Sequence, residues 1–169
     1  MSIFDRTETG YPSPSPVNHH RADLALPILS SYEVLTGRPL LSRAYGESVT
    51  EYALRAYEAP FVLLAHDGRE DPHFIYANRT AQRLFEYPWS TLVGLPSRHS
   101  AEADEQAERT RLLARVMVEG YCDDYAGIRI AASGRRFQIR SATVWNVLDR
   151  DGRRVGQAAT FAEWSDITH

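Results

Sequence analysis

The segment from Tyr125 to Trp164 constrains the fold most strongly, because two turn signals divide it into three runs of strand length. The turn signals are Ser133-Gly134 and Asp149-Arg150-Asp151-Gly152, in which Gly supplies the positive φ that hairpin turns require and Asp tolerates it. The middle run alternates with a period of two, which is typical of a half-buried strand. The segment therefore predicts a three-stranded antiparallel meander. The predicted inward face of its middle strand consists of Phe137, Ile139, Ser141, Thr143, Trp145 and Val147.

Length and charge restrict the class of protein. The chain has 169 residues, enough for one domain with a core of ordinary size. A formal net charge of -3 gives no reason to expect nucleic acid as a partner. The single cysteine, Cys122, excludes an internal disulfide, and we expect it to be a small buried apolar side chain. The sequence has neither a membrane-spanning apolar run nor a signal peptide, so we expect a cytoplasmic protein.

The N-terminal third predicts a tail followed by two helices. Residues 1–17 are polar and interrupted by prolines, and we interpret them as a disordered tail. Residues 18–58 are expected to form a helical segment whose first helix covers about residues 25–36. Its apolar stripe packs either on the sheet of its own chain, which we favour, or on a second copy. Ser48 and Glu51 form a capping box that opens the second helix.

Short strands and helices alternate from residue 59 onwards. Apolar runs over 61–65 and 74–77 predict two strands. Asn78 is placed to cap a helix, and a further helical turn begins at Pro88. Ser100 is expected to cap a long helix that ends before the meander. The buried stripe predicted for this helix consists of Leu112, Leu113, Val116 and Met117.

The sequence from Phe74 to Phe85 resembles the signature of PAS domains, in which a strand ends in Asn and a helix with Leu-Phe follows. Here Asn78 and Leu84-Phe85 occupy those positions. Leu92-Val-Gly94 is similar to the Leu-x-Gly that closes the next helix, and Asp166-Ile-Thr168 matches a frequent end of such domains. The resemblance implies an α+β fold: a five-stranded antiparallel sheet with helices on one face, preceded here by leading N-terminal helices.

More specifically, the chain resembles the MEKHLA family, a PAS-related group. The family occurs as small bacterial proteins and at the C-terminus of plant class III homeodomain–leucine zipper proteins. We identify residues 59–169 as a PAS-like domain of the bacterial, stand-alone type, although the six-letter string that names the family is absent. The matching segments include Leu35-Thr-Gly37, Leu95-Pro-Ser-Arg98-His-Ser-Ala-Glu102, Tyr125-Ala-Gly127, Gly134-Arg-Arg-Phe137, Val144-Trp-Asn146 and Gly156-Gln-Ala-Ala-Thr-Phe161.

The resemblance implies a sensory or small-ligand-binding module that is not an enzyme. PAS-like domains sense small molecules, light or redox state, or pair with other proteins. No output domain follows Asp166, so we expect the signal to pass through a partner protein or through self-association, for example as a homodimer. The outer face of the predicted sheet carries Arg129, Arg136 and Arg140, which we expect to be a solvated surface.

The sequence leaves the cofactor open. Ser97 lies about where flavin photoreceptors carry their reactive cysteine, and a hydroxyl is too poor a nucleophile near neutral pH to form the adduct. Cysteinyl-flavin photochemistry is therefore not expected, while Gln157 resembles the glutamine that contacts flavin in such sensors. The long helix contains no histidine, and His99 just before it is a weak axial candidate, so haem is not expected either.

Polar side chains on the inward face of the middle strand are candidate ligand contacts. If that face covers the core, the hydroxyls of Ser141 and Thr143 are buried, and an unpartnered buried hydroxyl costs about 1–3 kcal/mol. They therefore bind main chain, water or a ligand in a mostly apolar cavity. The candidate ligand-binding residues are Asn78, Ser97, Arg98, Ser141, Thr143, Trp145 and Gln157.

Two alternatives involve the histidines on either side of residue 70. His66-Asp67 could be the catalytic pair of a small isomerase-like or hydrolase-like enzyme with a cone-shaped α+β pocket. His66, His73, Asp67 and Asp71 could hold a metal, or could form an exposed hairpin tip, which is the commoner case. Since the sequence has no nucleophile elbow, phosphate loop or paired-carboxylate pattern, we assign no catalytic and no metal residues.

Overall fold

The computed structural model describes residues 11–168 and contains a mixed helical and antiparallel-sheet fold. The helices are α1 (Ala22–Thr36), α2 (Val49–Tyr57), α3 (Arg79–Phe85), α4 (Trp89–Leu92) and α5 (Ala103–Glu119). The strands are β1 (Val62–Asp67), β2 (Phe74–Ala77), β3 (Tyr121–Ile130), β4 (Arg136–Leu148), β5 (Arg154–Phe161) and β6 (Glu163–Asp166). Within residues 11–168, no helix combines the length and the apolar character needed to cross a membrane.

A polar side chain caps the beginning of α2 but not that of α5. The capping box of α2 is confirmed, since Ser48 Oγ accepts from Glu51 N at 3.1 Å and the Glu51 carboxylate accepts from Ser48 N at 3.3 Å. The cap predicted at Ser100 is wrong, because residues 97–100 form a 3-10 turn. The Ser100 hydroxyl donates to the Ser97 carbonyl at 2.7 Å, and α5 begins only after Glu102.

The sheet has the strand order β2-β1-β5-β4-β3, with all neighbours antiparallel. This five-stranded path confirms the predicted fold class, and β3, β4 and β5 form the predicted meander. β6 is an addition that the sequence did not predict. It follows β5 directly and pairs with the first part of β4, from Phe137 to Arg140.

Helices cover both faces of the sheet. We call the face under α3 and α5 the inner face and the face under α1 and α2 the outer face. On the outer face, the Trp145 indole Nε1 donates to the Ile28 carbonyl at 3.0 Å. The rings of Tyr32 and Trp145 pack edge to face, with 4.9 Å between their centroids. The favoured prediction, that the first helix packs on the sheet of its own chain, is confirmed.

Complementary irregularities in β3 and β4 decide which side chains face inward. Between Tyr125 and Gly127, β3 advances two residues while β4 advances three, from Ile139 to Ala142. The extra residue of β4 lies at Ser141, whose φ is 52°, the left-handed conformation of a β-bulge. The inner face of β4 therefore consists of Phe137, Ile139, Ala142, Val144 and Asn146, and Thr143, Trp145 and Val147 follow the bulge on the outer face.

The prediction that Ser141, Thr143 and Trp145 share a face with Phe137 is thus wrong, because strict alternation does not survive a bulge. The predicted outer position of Arg129 is also wrong. β3 pairs Arg129 with Phe137, and residues directly opposite in an antiparallel pair share a face. Arg129 is consequently on the inner face, where it is only 8% exposed.

The leading segments belong to the same packed unit as the sheet. The disordered tail predicted for residues 1–17 lies outside the described residues up to residue 10. From residue 11 onwards the prediction is wrong, because Trp89 Nε1 donates to the Tyr11 carbonyl at 2.7 Å and Arg21 Nη1 to the Pro12 carbonyl at 2.9 Å. α1 and α2 share one core with the outer face, so the boundary predicted at residue 59 does not separate two cores.

Candidate ligand site

A cavity of about 70 Å³ lies between the inner face of the sheet and α5. Most of its wall is apolar, with Leu64 from β1, Val144 from β4, Phe161 from β5 and Leu112 from α5 among the lining residues. Pockets for drug-sized ligands measure about 300–1,000 Å³, and a dry engineered cavity that holds benzene measures about 150 Å³. At this volume the cavity fits a molecule of a few non-hydrogen atoms and is too small for flavin or haem.

Two arginines line this cavity, Arg109 from α5 and Arg129 from β3. Both are buried, at 7% and 8% exposure, although long charged side chains are almost never fully buried unless they are paired. Arg109 donates from Nη2 to Ser97 Oγ through a short hydrogen bond, and Arg129 donates from Nη2 to the Tyr125 hydroxyl at 3.2 Å. Within residues 11–168, neither guanidinium makes an ion pair with a carboxylate.

Burial and like charge make the electrostatics of this pair unfavourable. Burial, followed by the charge of Arg129, lowers the pKa of Arg109 from 12.5 to about 10. Arg109 nevertheless remains protonated at neutral pH, so two like charges face one small, poorly solvated volume. A buried charge is stabilised by a partner of opposite sign or by hydrogen bonds, and these two guanidiniums have only hydrogen bonds to neutral groups.

His66 of β1 supplies a neutral polar atom. Burial lowers the pKa of His66 to about 4, so the imidazole is uncharged at neutral pH. Nδ1 lies 2.9 Å from the main-chain carbonyl of Asp67, which assigns the ring proton to Nδ1 and leaves Nε2 as an acceptor. Nε2 is buried without a hydrogen-bond partner.

Gly127 leaves room for the polar groups at one end of the cavity. A Cβ at this position would lie 2.5 Å from the Tyr125 hydroxyl and 3.1 Å from Arg129 Nη1. Real Cβ atoms essentially never approach another atom to 2.5 Å, so a larger residue would displace the Tyr125 hydroxyl, and it would also press on Arg129 Nη1. The absence of a side chain at residue 127 therefore allows Tyr125 and Arg129 to take their positions beside the cavity.

Gln157 and Asn146 connect the inner face to α5. Gln157 lines the cavity, and its Nε2 donates to the Leu113 carbonyl at 3.0 Å and to Asn146 Oδ1 at 3.1 Å. Asn146 Nδ2 in turn donates to the Val116 carbonyl at 3.1 Å and to the Met117 carbonyl at 3.3 Å. A change at Gln157 would therefore reach the C-terminal half of α5.

Of the seven predicted ligand contacts, the structure places Ser97 and Gln157 at the cavity wall. Asn78 is fully buried elsewhere, where it caps α3 and holds β1 and the end of α2. Arg98 is exposed and pairs with Asp71 at 2.8 Å. These two positions are explained by structural roles.

The three residues predicted on the middle strand are also away from the cavity. Ser141 is exposed at the bulge, and its hydroxyl donates to the Glu163 carboxylate at 3.2 Å. The Thr143 hydroxyl donates to Asp123 Oδ1 at 2.8 Å. Trp145 lies under α1 on the outer face. The two hydroxyls thus donate to carboxylates of neighbouring strands, Glu163 of β6 and Asp123 of β3.

The His66-Asp67 pair does not form a catalytic dyad. His66 faces only the main-chain carbonyl of Asp67, while the Asp67 carboxylate accepts from Arg69 Nε at 2.7 Å and from His73 N at 3.1 Å. Neighbouring residues of a strand point to opposite faces, which separates the two side chains. In the part of the chain that the structure describes, no three His, Cys, Asp or Glu side chains are grouped so that they could hold a metal ion.

The sequence reasoning missed Arg109 and Arg129. The buried stripe of α5 consists of Arg109, Leu112 and Val116, whereas Met117 of the predicted stripe is 52% exposed. Helical spacing continued three residues back from Leu112 reaches Arg109, so a signal was present. Predicting the buried position of Arg129 requires the register between β3 and β4, which an alternation pattern alone does not supply.

Comparisons with known proteins agree with the observed fold. The family model described as MEKHLA domain matches residues 22–166. Two curated relatives, the homeobox-leucine zipper proteins ATHB-9 and ATHB-14 of Arabidopsis thaliana, are each 27% identical over 146 residues. That alignment covers 83% of this chain but only 17% of either relative.

Solved structures with the same fold are PAS and LOV domains. A PAS domain from Colwellia psychrerythraea superimposes with a TM-score of 0.58 at 15% identity, covering 71% of this chain and 97% of that one. A fungal LOV domain photoreceptor superimposes with a TM-score of 0.56 at 14% identity, covering 90% and 98%. At these identities the likeness concerns the fold.

Proposed function

This chain belongs to the MEKHLA family, and from that premise we propose that it is a sensory module that binds a small molecule in the inner cavity. The bound state is passed on through a partner protein or a second copy of the chain. The PAS-like fold fits a sensory module.

The observation that carries the proposal is the polar content of the cavity between the sheet and α5. Its wall combines apolar side chains with a few convergent polar groups, as ligand sites do. His66 Nε2 is buried without a partner, and leaving such an acceptor unsatisfied costs about 1–3 kcal/mol. A ligand or ordered water that donates to Nε2 would remove this cost. The buried acceptor therefore favours the binding of a molecule with a hydrogen-bond donor.

The proposed route of the signal runs along α5. Gln157 and Asn146 hold the carbonyls of Leu113, Val116 and Met117, as described above. A ligand that moves Gln157 changes these bonds and therefore the C-terminal end of α5. At that end Met117 is 52% and Val118 is 85% exposed, which gives a partner an apolar surface that responds to the cavity.

Small-molecule binding can be tested by amide NMR with a defined panel of propionate, propionamide, 1-propanol and inorganic phosphate. We expect at least one of these to shift the amides of Leu64, Val144 and Ala159, which lie on the strands around the cavity. The signals of Val116 and Met117 should shift with them if the proposed route is correct.

A matched pair of variants distinguishes the cavity from other surfaces. Ala159→Leu fills the cavity and should abolish the shifts, whereas Ala114→Leu adds the same side chain on the exposed side of α5 and should leave them intact. If no compound of the panel perturbs the cavity amides of the parent protein, or if Ala159→Leu binds as the parent does, ligand sensing in this cavity is wrong.

A further inference from the structure

We propose that the cavity binds a small carboxylate, with Arg109 and Arg129 taking its negative charge. This inference rests on the proposed ligand-binding function and specifies the chemical class of the ligand. It depends on three features of the site: two buried guanidiniums without an acidic partner, further donors beside them, and an apolar wall of limited volume.

Two carboxylates lie near this positive charge without pairing directly with either guanidinium. Glu108 accepts from the Tyr125 hydroxyl at 2.8 Å, so it reaches Arg129 only through that hydroxyl. Asp71 accepts two hydrogen bonds from Arg98 at 2.9 Å and 2.8 Å, and its charge raises the pKa of Arg109 by less than burial and Arg129 lower it. Neither forms an ion pair with Arg109 or Arg129 among residues 11–168. An anion in the cavity would supply the missing opposite charge.

The donors are arranged on three elements around one volume. Arg109 comes from α5, Arg129 from β3, and Ser97 from the 3-10 turn before α5. A guanidinium has five N–H donors, and Arg109 uses one of them on Ser97 while Arg129 uses two within the protein. The remaining N–H groups match the planar geometry of a carboxylate, which guanidinium groups bind in a bidentate manner.

The rest of the wall argues for an organic acid rather than a fully polar anion. The apolar part of the cavity is formed by Phe85, Leu112, Ile139, Val144 and Phe161. An anion with a short apolar tail can place its charge at the arginines and its tail against these side chains. The volume of about 70 Å³ limits the tail to a few carbon atoms, as in acetate or propionate.

The test compares propionate with propionamide, which has nearly the same shape and no charge. Isothermal titration calorimetry in a buffer free of carboxylate and phosphate should show propionate binding at least about tenfold more tightly than propionamide, consistent with the strength of charged hydrogen bonds. Amide NMR should locate the propionate shifts at the cavity strands. Equal binding of the two compounds would overturn the proposal.

Variants distinguish a role of the two arginines in propionate binding from a role in stabilising the fold. Arg129→Met and Arg109→Met should each reduce propionate affinity at least about tenfold, while Arg111→Met, on the exposed face of the same helix, should not. Without ligand, the thermal midpoint of Arg129→Met should equal or exceed that of the parent, because one of two repelling buried charges is removed. A large drop in that midpoint with unchanged propionate affinity would show a structural role and contradict the proposal.

Two further outcomes distinguish this proposal from the general one. If 1-propanol or propionamide shifts the cavity amides and propionate does not, the carboxylate assignment fails while ligand binding in the cavity stands. If inorganic phosphate binds more tightly than propionate, the site recognises a different class of anion and the assignment also fails. If none of the compounds binds, both proposals fail.

Discussion

Asn78 shows how one polar side chain can organise three elements. Its Oδ1 accepts from Leu63 N at 3.0 Å and Ala81 N at 3.1 Å, and its Nδ2 donates to the carbonyls of Ala56 and Phe61 at 3.2 Å and 2.8 Å. Asn78→Ala leaves these buried groups unsatisfied, and we expect a loss of about 3 kcal/mol in the free energy of unfolding. Urea denaturation measures it. Ser48→Ala, which removes an exposed cap, should cost only about 1 kcal/mol, and equal losses would contradict this role of Asn78.

His66 should make stability depend on pH. Its pKa is about 4 in the folded protein against 6.5 for an exposed histidine, so the unfolded chain takes up the proton first as the pH falls. The stability that comes from keeping His66 neutral is fully present above pH 6.5 and is lost as the pH falls towards 4. Between about pH 7 and about pH 4.5, this loss amounts to about 2 kcal/mol.

His66→Gln isolates that contribution from the carboxylates that also titrate in acid. The variant should lose about 2 kcal/mol less than the parent between the two pH values, as measured by urea denaturation at each. His99→Gln, at an exposed histidine, should follow the parent. Parallel pH profiles for the parent and His66→Gln would mean that His66 is not buried in its neutral form.

The β4 strand shows what can and cannot be predicted from a sequence pattern. The turn signals around it correctly predict the meander, since Gly and Asp residues report local backbone geometry. The alternation correctly places Phe137 and Ile139 but fails after Ser141, because a bulge inserts one extra residue and so reverses the faces that a period-two pattern assigns beyond it. The two candidate contacts of β4 beyond the bulge, Thr143 and Trp145, therefore lie on the opposite face.

The bulge itself can be tested at Ser141. Its φ of 52° suits glycine and is unfavourable for a β-branched residue by about 1–2 kcal/mol. Ser141→Gly should therefore keep or slightly raise the free energy of unfolding, whereas Ser141→Val should lower it by about 2 kcal/mol. In a regular strand the order would be reversed, since valine favours strands and glycine does not. Urea denaturation of both variants decides between the two conformations.

At the scale of the whole molecule, the fold could be predicted from sequence features that act locally. The strand-Asn-helix signature, the capping box at Ser48 and the meander are local features, and together they define the fold. The cavity is not local: it depends on which face Arg129 of β3 occupies and on how far the buried stripe of α5 extends towards Arg109. From sequence alone, charged residues such as these are expected on the surface. Only the pairing register of the folded sheet shows that Arg129 lies on the buried face.

The single packed unit leads to a final prediction about cooperativity. Ile28 of α1 is fully buried against the outer face, and its carbonyl accepts from the indole of Trp145. Ile28→Ala should lower the free energy of unfolding by about 3 kcal/mol, because it leaves a cavity in a core shared by α1, α2 and the sheet. Circular dichroism at strand wavelengths and tryptophan fluorescence should shift together to the same lower urea midpoint. As a control, Val34→Ala, at a 74% exposed position of the same helix, should leave both midpoints nearly unchanged. If α1 were instead an independent appendage, the fluorescence of Ile28→Ala would change at a lower urea concentration while the strand signal kept the parent midpoint.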